Sequence, residues 1–206
     1  MSSTQTPEGE LRQIITGYCN RPDYPDIERL KNLLNKVSGD QSYKLLSSIR
    51  DYDNNTMLTL AARQRRNTEV CVTLLSSLTP AGRLKLILVN KFTALHQASY
   101  EGHTDTVSGI LNCLTAEQQL QLVFTQDSDG NTALHDAAQG GSTETVKILL
   151  DNLTPEQQLQ LLSVKNRKDE TAYQKAAGIY KHLASNIMTT LEHYQKEADY
   201  RVNYRE

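Results

Sequence analysis

His96 and His135 are the residues best suited to chemistry in this chain, yet their spacing argues against it. Histidine can ligate a metal or move a proton near neutral pH. Each of these two ends a T-A-L-H run, at Thr93 and Thr132, so they recur 39 residues apart. Metal ligands must converge on one point, whereas residues repeated at a long period lie in successive layers. His103 is another repeat position, and His182 and His193 lie in the last unit without a thiol or carboxylate cluster. No zinc spacing is present. Cys19, Cys71 and Cys113 are odd in number and spaced for neither disulfides nor metal, so they read as small helix residues in a reducing compartment. There is no G-x-S-x-G, Gly-rich phosphate loop or H-E-x-x-H. These readings predict no catalytic residue, no metal and no cofactor.

The histidine motif belongs to a longer periodicity. T-M-L-T at Thr56 and T-A-Y-Q at Thr171 flank the two T-A-L-H runs, giving intervals of 37, 39 and 39 residues from Thr56 through Thr93 and Thr132 to Thr171. Such a period marks stacked supersecondary units rather than one globular core. Small residues follow each motif at Ala61 and Ala62, Ala98 and Ser99, Ala137 and Ala138, and Ala176 and Ala177, allowing close approach of helices. Gly102 and Gly141 fall where the first helix should end, because glycine accepts positive φ. A second helix follows in each unit. Val107, Ile110, Leu111 and Leu114 give it one apolar face, repeated at Val146, Leu149, Leu150 and Leu153, and with one extra residue at Val70, Leu74, Leu75 and Leu78.

Between units the sequence predicts a short third helix. Thr154 is its N-cap, Pro155 its first residue, and Gln157 the partner in a capping box. Thr115 to Gln118 and Ser38 to Gln41 repeat the arrangement, while Thr79-Pro80-Ala81-Gly82 keeps the start and loses the glutamine. A turn then leads to the next threonine. Gly130, Asn54 and Asp169 are the residues suited to a left-handed position in three of the turns. The connection Leu88 to Phe92 is shorter and lacks that signature.

These units resemble the ankyrin repeat. Thr93-Ala94-Leu95-His96, Gly102-His103 and Ile110-Leu111 match its hallmark, as do Gly130, Thr132-Ala133-Leu134-His135, Ala137-Ala138 and Leu149-Leu150. Thr59 and Gln174 replace the histidine in the outer copies, and the motif proline is absent from all four. The resemblance spans roughly residues 47 to 195. It implies an all-α ankyrin-repeat solenoid with short β-hairpin-like turns and an extra short helix per repeat. It also implies that the histidine bonds backbone and the motif threonine of neighbouring turns. Residues 1–46 are expected as an N-terminal helical capping unit with a replaced first helix, ended by Pro22 and Pro25. Residues 47–195 form the array, and residues 196–206 a polar tail or an extension of the last helix.

Composition narrows the partners. Hydrophobic residues make up 38% of the chain, low for a compact globule but sufficient for thin stacked layers. The net charge of −2 argues against nucleic acid, whose binding needs a basic surface. The polar Met1 to Glu10 stretch shows no signal peptide, and no apolar run approaches membrane-spanning length. A monomeric, cytoplasmic protein is expected.

Arrays of this kind present a surface to another protein. The exposed variable positions of ankyrin-like stacks are the turn tips and the residues after the alanine pair. The first unit offers Tyr52, Asp53, Asn55, Arg63 and Gln64. The second offers Asn90, Phe92, Tyr100 and Glu101; the third offers Ser128, Asp129, Asn131, Gln139 and Gly140. Arg167, Lys168, Glu170 and Ile179 come from the fourth. Aromatics and arginines dominate protein interfaces. Phe92 can therefore face a partner or fold back over its shortened turn. Arg63, Arg65 and Arg66 are either a solvated helix end or a site for an acidic group. The expected function is a non-enzymatic adaptor, or the ankyrin portion of a larger signalling protein. The alternative is a host-directed effector of an intracellular bacterium or virus.

Overall fold

The computed structural model describes residues 6–20, 26–178 and 181–204. Pro22, Pro25 and Ile179, and the side chain of His182, lie outside what is described. Every described element is a helix.

Short inner helices follow the motif threonines: α4 (Met57–Ala62), α7 (Ala94–Tyr100), α10 (Ala133–Gly140) and α13 (Ala172–Ala176). Each begins on a threonine in extended backbone, which satisfies donors that a helix start leaves open. Outer helices come next: α5 (Thr68–Ser76), α8 (Thr104–Asn112), α11 (Thr143–Asp151) and the longer α14 (Lys181–Asn203). Connector helices α3 (Gly39–Ser48), α6 (Pro80–Ile87), α9 (Ala116–Val123) and α12 (Pro155–Ser163) complete the units. Before them, α1 (Pro7–Asn20) packs on α4, and α2 (Ile27–Lys36) packs on α5. They take the inner and outer places of a further unit. The outer-helix spacing at Leu30, Leu33 and Leu34 is buried there.

Inner helices stack on inner helices, and outer on outer, along the array. The leucines of the motif, Leu58, Leu95 and Leu134, are fully buried between layers. Burying such a side chain contributes roughly 1.5–3 kcal/mol. Leu134→Ala would remove that and leave a cavity, at about 2–5 kcal/mol. The small-residue pairs are buried in the first three units, but Ala177 is exposed, and among the described residues no further inner helix covers α13. Tyr173 replaces the motif leucine there and is only half-buried, its hydroxyl donating to Glu192 on α14 at 2.7 Å. α14 packs on α11, α12 and α13 and continues past residue 195, with Ala198 buried.

The connector helices are fixed by side chains as the sequence predicts, and by one device it hides. Capping boxes form at Ser38–Gln41, Thr115–Gln118 and Thr154–Gln157, while Thr79 caps Gly82 alone. The second glutamine of each E-Q-Q run has a separate task. Gln119 Nε2 donates to Leu111 O at 2.8 Å, and Gln158 Nε2 to Leu150 O at 2.9 Å. These carbonyls lie in the last turn of the preceding outer helix, where each also accepts from the backbone N–H three residues on, Leu114 N and Leu153 N. Arg83 does the same from α6, reaching Leu75 O at 2.9 Å and Cys113 O of the next unit at 2.9 Å. Ser42, at the same place in α3, is too short, and its hydroxyl is buried without a partner.

Candidate functional site

Three turns share one construction. In each, the first residue donates its N–H to the carbonyl four residues on: Asp51 to Asn55, Asp127 to Asn131 and Asn166 to Glu170, at 2.8–3.0 Å. Asn54, Gly130 and Asp169 carry the positive φ that closes them. The side chain of the first residue then accepts from backbone within the turn, as Asp127 Oδ1 does from Asp129 N and Asn131 N at 2.8 Å. The turns are thus closed by their own backbone and side-chain hydrogen bonds.

Turns three and four are joined. Arg167 N donates to Asp129 O at 2.9 Å, and Asn166 Nδ2 to Asn131 Oδ1 at 3.0 Å. This overturns the expected place of Asn131. It is only 5% exposed, because its amide is the link between successive turns. Ser128, Asp129, Arg167 and Lys168 are exposed around that link.

The histidines bind layers together. His96 Nδ1 lies 2.8 Å from Thr93 Oγ1, and its Nε2 lies 3.1 Å from Asn131 O in the next turn. His135 repeats this with Thr132 at 2.9 Å and Glu170 O at 3.0 Å. Since Nδ1 also accepts from the threonine N–H, the proton belongs on Nε2, facing the carbonyl. Burial pushes both imidazoles below the ordinary histidine range. Both ring nitrogens of each are occupied, which suits a structural hub. In the first unit Thr59 stands in place of histidine and reaches only Thr56, at 3.1 Å. His103 Nδ1 reaches back to Ala62 O at 3.1 Å.

The short second turn behaves differently. Its residues form no such hairpin, and it is held to the first turn by Asn90, which accepts from Arg50 Nη1 at 2.7 Å and donates to Asn54 O at 3.2 Å. A cleft of about 410 Å³ opens between the two turns, lined by Asp53, Asn54, Asn55, Val89, Asn90, Lys91 and Phe92. Four expected partner-facing residues, Asp53, Asn55, Asn90 and Phe92, meet here. Phe92 is half-buried, its ring centroid 5.6 Å from that of His96. It therefore covers the histidine while bordering the cleft. Tyr52 beside it is fully exposed, at 104%.

Arg63, Tyr100 and Gln139, with Glu101, are exposed at the ends of stacked inner helices. Arg63 and Arg65 have no ion pair within the described residues, whereas Glu101 accepts from Gln97 at 3.0 Å. The sequence reading missed Asp136, buried on α10, because alternation of motif letters does not reveal which polar side chains a neighbouring layer covers. It also missed Asn67, which donates to Tyr18 Oη of α1 at 2.6 Å and ties the N-terminal helices to the first unit. The thiols are guarded: burial pushes Cys71 up to about 12 and Cys19 to about 11.

Among the described residues no helix is long and apolar enough to cross a membrane. No curated protein matches the chain. Residues 83–160 match the family model for ankyrin repeats (3 copies), a stretch running from α6 into α12 and containing both T-A-L-H motifs. Ankyrin repeats form protein–protein interaction modules and are generally non-enzymatic. With its threonine–histidine hubs and stacked helix pairs, the centre of this chain is an ankyrin-repeat array.

Proposed function

We propose that this chain is a non-enzymatic module that binds a protein partner through its turn tips and the exposed ends of its inner helices. The observation that carries the reading is Tyr52. A fully exposed aromatic side chain stands at the tip of a turn whose backbone is closed by hydrogen bonds, beside a cleft bordered by Phe92. Tyr100 and Arg63 extend the same kind of surface across adjacent units. Preformed aromatic anchors lose little conformational entropy on binding, which favours recognition by a rigid surface. An adaptor, or the interaction portion of a larger signalling protein, uses such a surface.

Affinity capture with mass spectrometry would identify the partner, and titration of the purified pair would then test the site. Tyr52→Ala and Tyr100→Ala should each weaken binding while the thermal midpoint stays unchanged. Full affinity in both variants would place the interface elsewhere.

A further inference from the structure

The inner-helix position that holds Asp136 is filled by Leu60, Gln97 and Lys175 in the other units. Asp136 sits on α10, which packs between α7 and α13. Its side chain is 3% exposed, and its Oδ2 has no hydrogen-bond partner. Buried polar groups are nearly always paired, so an orphaned carboxyl oxygen calls for a reason.

Two carboxylates act on it from the turn before α10, those of Asp127 and Asp129. Asp127 accepts from Asp129 N, Asn131 N and the Asn131 amide, so both its oxygens are engaged within its own turn. The opposing charge is Lys175 on α13, whose ammonium lies 3.3 Å from Asn131 Oδ1. Of the other elements against α10, α7 brings His96, with Glu101 just past its end, and α11 brings Glu144, Lys147 and Asp151. The fourth turn adds Glu170, and α10 itself His135. Burial first, and then Asp127, push the Asp136 carboxyl up to about 8. A neutral carboxyl tolerates this site. An ionised one would be a desolvated charge facing two others of its own sign.

We propose that Asp136 is a protonation-dependent latch between the third and fourth units: its neutral carboxyl lets α13 and its turn close on α10, and loss of that proton loosens the fourth unit from the stack. Opening this junction exposes Asp136 to water, where it gives up its proton at neutral pH. A carboxyl whose folded value is raised contributes stability that is complete below its unfolded value of 3.8. That stability is lost as pH rises through about 8. Within that window each pH unit favours opening by up to about tenfold. The fourth unit carries Arg167 and Lys168, so the latch governs whether those exposed cations stay aligned with the turns of the third unit.

Hydrogen exchange of the full chain at pH 6, 7 and 8, corrected for intrinsic rates, tests this. Segments 166–176 and 104–112 are compared in wild type, Asp136→Asn and Asp136→Leu. The leucine variant repeats the residue found at position 60, and it guards against an asparagine left unpaired. The latch predicts that wild-type protection over 166–176 falls about 3- to 10-fold more per pH unit than in either variant, while 104–112 behaves alike in all three. Equal pH slopes in wild type and variants would overturn it. So would a difference spread evenly over both segments, which would make Asp136 a determinant of global stability only.

Discussion

A Cβ built on Gly140 would lie 2.0 Å from the carbonyl oxygen of Tyr100. The end of α10 therefore touches the backbone at the end of α7, and only a residue without a side chain fits. Gly178 follows the alanine pair of the fourth unit, and its nearest neighbour is Lys175 O at 3.5 Å, an ordinary contact. Gly140→Ala should force the two helices apart and lower the unfolding free energy by about 1–3 kcal/mol, the usual range for overpacking. Gly178→Ala should be neutral or slightly stabilising. Paired urea denaturation curves decide this, and equal midpoints for the two variants would contradict the close approach.

The histidine hubs make a prediction about acid. His96 and His135 are held neutral, with Nδ1 accepting and Nε2 donating. Burial lowers the folded value below the unfolded reference of 6.5. Their contribution is thus complete above 6.5 and is lost as pH falls through the lower folded value. Alanine at either should lower stability by about 1–3 kcal/mol at pH 7.5, since it leaves buried groups unpaired. The deficit should shrink toward pH 5. A deficit that persists unchanged, or a thermal midpoint that drops on adding a chelator, would rule out the hub role.

The connector helices supply a third prediction. Gln158→Ala removes the bond to Leu150 O and should cost about 1 kcal/mol. Gln160→Ala, on the exposed face of the same helix, should cost almost nothing. Chemical denaturation of both variants separates a cap on the outer helix from a solvated glutamine.

How far the sequence spoke can be judged from these same residues. Asn54, Gly130 and Asp169 announce their turns, because few residue types accept positive φ and each stands at the same offset from a motif threonine. Thr154 and Gln157 announce their helix, because a capping box is local and its partners are three residues apart. Gln158 and Asn131 were harder. Their partners lie in other elements, Leu150 O eight residues back and Asn166 Nδ2 35 residues on, and no local pattern marks such reach. Asn131 was misplaced on the surface for that reason. Asp136 was silent because its surroundings are set by Asp127 and Asp129 of the preceding turn and by Lys175 of the next unit, not by its own helix.

Repeats that touch only their neighbours should open from the weaker ends. The hubs at His96 and His135 join the second, third and fourth units, whereas Thr59 offers no bond to the next turn. Hydrogen exchange should therefore be slowest over residues 93–114 and 132–153 at pH 6. Slowest exchange in α1 and α2 instead would make the N-terminal helices the stable nucleus.

The partner site gives the last prediction. Phe92 is compromised as a probe, since its ring packs on His96 and its removal would expose a buried hub. Phe92→Ala should thus lower stability as well as any affinity it supports. Tyr52 and Tyr100 are cleaner, being exposed and bonded to nothing that the fold requires. A few aromatic or arginine anchors carry most of the energy of an interface. Alanine at Tyr52 or Tyr100 should weaken binding by about 2 kcal/mol, roughly thirtyfold, with the thermal midpoint within error of wild type. Glu156→Ala, on connector helix α12, should leave affinity as it was. Calorimetric titration of these variants against the identified partner separates two surfaces. Loss at Glu156 with no change at either tyrosine would move the interface to the connector ridge.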